Sequence, residues 1–172
     1  MSYPTNNKSV QLFKQAFERV NRGSENMFHI VITDVILTNK PQTYRFQVRA
    51  NFYTHLLKHC RRQNIAMDYL CVIEYGKEYS IGEYVYKHTK EIEDLKGLGL
   101  HAHCIVRCNL DATTITNIAK ANLPNGIDVK VFDISQREDR EGLCGYLCKQ
   151  QRILNQDNFE IKLRPKKNKQ IN

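Results

Sequence analysis

The chain has 172 residues, 41% of them hydrophobic, which suits one domain with a modest core and leaves no room for a second of ordinary size. Lys and Arg number 26 against 18 Asp and Glu, a net charge of +8 that suits a polyanionic partner, because basic side chains displace counterions condensed on phosphates. No apolar run approaches the roughly 20 residues of a membrane span, and the polar start, residues 1–9, lacks the apolar centre of a signal peptide. The reading is an intracellular protein whose six cysteines, at 60, 71, 104, 108, 144 and 148, are reduced.

In chain order, a loose arm over 1–9 precedes a short amphipathic helix over 10–20, with Leu12, Phe13, Ala16, Phe17 and Val20 at helical spacing. Residues 27–37 (MFHIVITDVIL) are rich in β-branched side chains and read as a buried strand. A helix is predicted over 41–64, where Tyr44, Val48, Phe52 and Leu56 recur every four residues. Residues 67–75 and 100–108 read as a second and a third strand. Between them, 76–99 is a long connection rich in Tyr, Lys and Glu; connections of that length are usually functional or partly structured. A helix over 112–122 is stopped by Pro124 and Gly126, a fourth strand covers 127–135, and a final helix covers 137–154.

From the first strand the order is β-α-β-β-α-β-α. The first six elements give an α+β, ferredoxin-like or RRM-like plan, a sheet of four or slightly more antiparallel strands with two helices on one face. That leaves the final helix near the other face. The organisation is an N-terminal arm and short helix over 1–26, one domain over 27–155, and a basic C-terminal tail over 156–172.

His101 and His103 are two apart on a strand, so their imidazoles share a face, with Ala102, Cys104, Val106 and Cys108 turned the other way. Two neutral imidazoles at that spacing can ligate one divalent ion. Glu74 shares its face with Leu70 and Val72, and could meet the histidines across a strand pairing as a third ligand. On the final helix, Leu143 and Leu147 form a core-facing stripe, while Tyr146 and Lys149 lie one turn apart on one side. Gly142 and Gly145 flank the tyrosine and would admit a nucleic-acid backbone. Each piece alone also has a plainer reading: a structural histidine pair, a solvated strand end, a coincidental Tyr-x-x-Lys.

Taken together, the carboxylate strand, His101-Ala102-His103 and Gly145-Tyr146-Leu147-Cys148-Lys149 resemble the HUH endonuclease superfamily, specifically the single-tyrosine replication initiators (Rep proteins) of rolling-circle replicons. The resemblance covers roughly residues 27–151, and 35–39 (VILTN) is a loose match to the family's first-strand motif. It implies that His101, His103 and Glu74 ligate Mg²⁺ or Mn²⁺, that Tyr146 is the nucleophile, and that Lys149 is the lysine beside it. It further implies a nicking and strand-rejoining enzyme that acts on single-stranded DNA, at an origin or hairpin, and holds a 5′-phosphotyrosine intermediate. The setting would be a prokaryotic cytoplasm, or a nucleus if the replicon is a eukaryotic virus. With no phosphate-loop motif in the chain, unwinding would fall to a separate host or replicon helicase.

Arg45, Arg49, Lys58, Arg61 and Arg62 on the first long helix are the candidate DNA contacts. Three rivals stand beside this reading. A zinc domain built on Cys104, Cys108, Cys144 and Cys148 conflicts with strand alternation and lacks a Cys-x-x-Cys pair. A non-catalytic RRM-like module would need aromatics on the open face of the central strands. A single-tyrosine transposase of the same superfamily, usually a homodimer, shares the chemistry.

Overall fold

The computed structural model describes residues 8–34, 47–75, 100–138, 140–148 and 159–165. Arg45, Lys149, the 35–39 motif and the 76–99 connection lie outside the described residues.

Alternation along β1 (Met27–Asp34) sorts its side chains between two layers. Phe28, Ile30 and Ile32 face one side, where they pack against Val48, Phe52, Leu56 and Cys60. Those four residues come from α2 (Thr54–Arg62) and the π-helical segment Val48–Tyr53 that runs into it. A step of four overshoots a 3.6-residue turn by about 40° each time. The wider π winding turns less per residue and offsets that drift, so the whole row stays on the sheet.

Strands β2 (Asp68–Tyr75) and β3 (Leu100–Arg107) follow, then α3 (Ala112–Asn122) and β4 (Ile127–Asp133). The Asp111 carboxylate caps α3 by accepting the Thr114 N–H at 2.8 Å. Gly126, with φ of 89°, makes the left-handed turn that delivers the chain into β4. The sheet is antiparallel in the order β4-β1-β3-β2-β5. The first four strands have the ferredoxin-like arrangement, and the fold is the α+β class that the element order predicts.

The fifth strand is the departure. Residues 159–162, assigned from sequence to a basic tail, form β5 (Phe159–Lys162) and pair with the β2 edge, Phe159 opposite Val72. The N-terminal helix also belongs to the body. Helix α1 (Lys8–Asn21) buries Val10, Phe13, Ala16, Phe17 and Val20 in the second core layer, where Phe13 stacks on Phe159 at 4.5 Å. Leu12, placed on that stripe from its periodicity, points outward at 48% exposure, because a neighbour of Phe13 sits a quarter turn off the buried face.

Helix α4 (Arg140–Leu147) completes this layer through Leu143 and Leu147, the stripe expected from their spacing. At the sheet's end away from Glu74, Arg107 donates to the buried Asp68 carboxylate at 2.8 Å and to the Val20 carbonyl at 2.7 Å. Arg164 joins Asp68 and Glu25, tying the segment after β5 to the α1–β1 turn.

Candidate functional site

Register brings the predicted ligands together. Glu74 on β2 lies directly opposite His101 on β3, and His103 sits two residues further along the same face. Glu74 Oε2 is 3.5 Å from His101 Nε2 and 3.2 Å from His103 Nε2. All three side chains are buried, Glu74 and His103 completely. Among the described residues this is the one group of three or more His, Cys, Asp or Glu whose donor atoms converge, all within 4.8 Å of one another.

A buried carboxylate against two imidazoles must be compensated, because an ionised group taken out of water otherwise costs many kcal/mol. Either a protonated imidazole or a cation supplies that compensation. The distances suit a cation. Two donors each about 2.1 Å from one ion, at tetrahedral or octahedral angles, lie roughly 3.0–3.4 Å apart. The observed separations fall on or just beyond that range. His101 Nε2 is buried and accepts or donates no hydrogen bond among the described residues, as expected of a nitrogen reserved for a metal. The Glu–His–His cluster could hold a metal ion, and three protein donors leave coordination positions for other oxygens.

A residue the sequence reading missed supports the cluster. His29 on β1 is buried, and its Nε2 is 3.0 Å from His103 Nδ1, with the two rings stacked at 5.2 Å. Metal ligation through His103 Nε2 requires the tautomer in which Nδ1–H donates, and His29 Nε2 is placed to accept it. Alternation in MFHIVITD put His29 on a known face. Its relation to His103, though, depends on the β1–β3 pairing across 74 positions, which no local pattern encodes.

Tyr146 lies over the same face, as the final helix was expected to place it. Its ring meets His103 edge-on at 5.9 Å. It also lines an open groove of about 620 Å³ between α4 and the β1–β4 side of the sheet, together with His29, Phe132, Arg137 and Gly142. That volume is within the roughly 300–1,000 Å³ of small-ligand sites. Gly142 thus borders the groove. Gly145 does not: it lines a separate groove with Lys14 and Phe17, and a Cβ there would meet nothing within 4 Å.

The other candidates sit elsewhere. Arg49, Lys58, Arg61 and Arg62 are exposed on the helical layer that covers the opposite face, so the sheet separates them from the cluster. Cys104 and Cys108 are buried in that opposite layer, Cys104 Sγ lying 3.6 Å from Cys71 Sγ, and among the described residues no cysteine joins the Glu–His–His cluster. Burial pushes the Cys104 thiol well above its usual range, consistent with a packing role. The central strands present His29, Val31, His101 and His103 on the site face, not a row of aromatics.

No known family profile matches the chain, and no curated protein matches it significantly. Among solved structures it is similar to the crystal structure of the hypothetical protein ORF119 from Sulfolobus islandicus rod-shaped virus 1. The identity is 16% and the TM-score 0.39, over 79% of this chain and 90% of that one. A likeness that slight carries no weight for function. Among the described residues, no helix is long and apolar enough to cross a membrane.

Proposed function

We propose that this chain is a metal-dependent endonuclease that nicks single-stranded DNA with Tyr146 as its nucleophile, in the manner of the single-tyrosine HUH replication initiators its sequence resembles. The observation that carries the reading is the meeting of two unlike parts on one face. A Glu74–His101–His103 donor set and a helix-borne tyrosine converge from segments far apart in sequence, beside a groove open to solvent.

A divalent ion held by Glu74, His101 and His103, Mg²⁺ or Mn²⁺ for a mixed imidazole and carboxylate set, would supply Lewis-acid polarisation of the scissile phosphate. The remaining work belongs to the chain. His29 holds His103 in the ligating tautomer, so the donor set is fixed before substrate arrives. Packing of Leu143 and Leu147 fixes α4 and with it the position of Tyr146. The phenol oxygen of Tyr146 attacks phosphorus, the P–O3′ bond breaks, and the proton lost by the phenol is balanced by one gained at the departing 3′-oxygen. The new P–O bond retains the energy of the old one, so a 3′-hydroxyl can later reverse the step. Lys149, next but two after Tyr146, is assigned by the resemblance to stabilise the charge that develops.

The variant Tyr146→Phe tests this directly, because it removes one oxygen and leaves the ring. It should bind a single-stranded oligonucleotide as the wild type does while losing both cleavage and the covalent product. Undiminished adduct in this variant would move the nucleophile to another tyrosine.

A further inference from the structure

Exposed large apolar side chains are few among the described residues: Leu12 on α1 and Phe132 on β4, each 48% exposed. Phe132 does not sit at random. It lies opposite His29 in the β1–β4 register, its ring 6.0 Å from the His29 ring, and it forms a wall of the groove that Tyr146 also lines. Rings therefore run in series across the face, Phe132 to His29, His29 to His103, and His103 to Tyr146. Two strand spacings, on the order of 10 Å, separate β4 from β3.

We propose that Phe132 is a stacking platform for an unpaired base of the bound strand, next to the nucleotide whose phosphate is cut. The identity of the ligand rests on the nuclease reading above. The choice of a base over a protein partner rests on the surface itself. A lone half-exposed aromatic is far smaller than the apolar patches that mark protein interfaces, whereas one ring face is all a base requires. The flanking charges agree with a nucleic-acid strand. Exposed Lys130 is two residues from Phe132 on the same strand face, and exposed Arg137 lines the groove. The one carboxylate in the groove wall, Asp133, is already engaged by the Ser135 N–H at 2.9 Å and the Ser135 hydroxyl at 2.6 Å. Because every base has a π-face, this platform holds the strand without selecting sequence.

The absence of tryptophan from the chain provides the probe. Phe132→Trp in a Tyr146→Phe background carries a single tryptophan, and Leu12→Trp in the same background is the control. Oligo-dT binding, followed by anisotropy, should quench the tryptophan emission of the Phe132→Trp protein and leave that of the Leu12→Trp protein unchanged. An abasic oligonucleotide of the same length and charge should leave the emission unquenched, because it offers no base to stack. Phe132→Ala should weaken binding roughly 5- to 150-fold, the range one base–aromatic stack supplies, and Phe132→Tyr should restore it. Binding without quenching, or equal quenching in the two proteins, would overturn the platform while leaving the nuclease standing. Absence of any adduct from the wild type alongside base-dependent quenching would do the reverse. No binding at all would sink both.

Discussion

At the residue scale the decisive fact is a carboxylate with 0% exposure, held between two imidazoles. Such a group stays ionised only if a protonated imidazole or a bound cation answers it. Replacing both His101 and His103 by Ala should abolish Mn²⁺ binding in calorimetry, and unchanged binding in that variant would remove the metal assignment. His29 makes a finer prediction. His29→Ala should weaken Mn²⁺ binding about 10- to 100-fold, as loss of an outer hydrogen bond to a ligating histidine does elsewhere. His29→Gln, whose amide oxygen can accept from Nδ1–H, should recover most of it. Nitrogen NMR of His103 should show Nδ1 protonated in the wild type and mixed tautomers in His29→Ala. A His29 that only packed would leave the tautomer untouched.

At the element scale, pattern and pairing divide what the sequence could and could not reveal. The ligand strand was legible because alternation alone decides that His101 and His103 share a face and that Ala102 and Cys104 do not. Glu74 was legible because an acid in an apolar strand demands a partner. His29 and β5 were not, for one reason: each is defined by a strand pairing, with β3 and β2 respectively, that leaves no mark in its own segment. In and just after β5 only Phe159, Ile161 and Leu163 alternate, in a stretch otherwise charged. The glycine inference also needed the structure. A Cβ at Gly145 meets open space, so Gly145→Ala should raise stability by about 0.5–1 kcal/mol in a helix interior without loss of DNA affinity. A DNA-binding defect in that variant would return the glycine to the site. Gly23 is the opposite case. A Cβ there would collide with the Arg107 guanidinium, which is held in place by Asp68 and Val20. Gly23→Ala should therefore lower stability by roughly 1–3 kcal/mol, measured by denaturant unfolding.

Across the whole molecule, α1 and β5 close the site layer. Helix α1 and β5 contribute Phe13, Phe17 and Phe159 to the same core as Leu143 and Leu147, which seat Tyr146. The Asp68–Arg107–Arg164–Glu25 cluster fastens the segment after β5 to the α1–β1 turn. Asp68 is wholly buried, and Asp68→Ala leaves Arg107 and Arg164 with Glu25 alone, which should cost about 1–3 kcal/mol. The loss would appear as a lower unfolding midpoint by circular dichroism, with the metal affinity of the still-folded fraction unchanged. A midpoint equal to that of the wild type would mean the cluster is not what holds this layer together.

The covalent intermediate is what separates a tyrosine nucleophile from a metal-bound water. One oligonucleotide labelled in parallel at its 5′ end and at its 3′ end, incubated with protein and Mn²⁺ and run on a denaturing gel, reads it directly. Only the 3′-labelled fragment should move to a protein-linked band, at about one cut per protein, and chelation or Tyr146→Phe should abolish the band. A supplied 3′-hydroxyl acceptor should then release the protein and join the strands. Many turnovers yielding free 5′-phosphate fragments, with no linked band, would contradict the proposal: water would be the nucleophile, and Tyr146 a bystander beside a metal site.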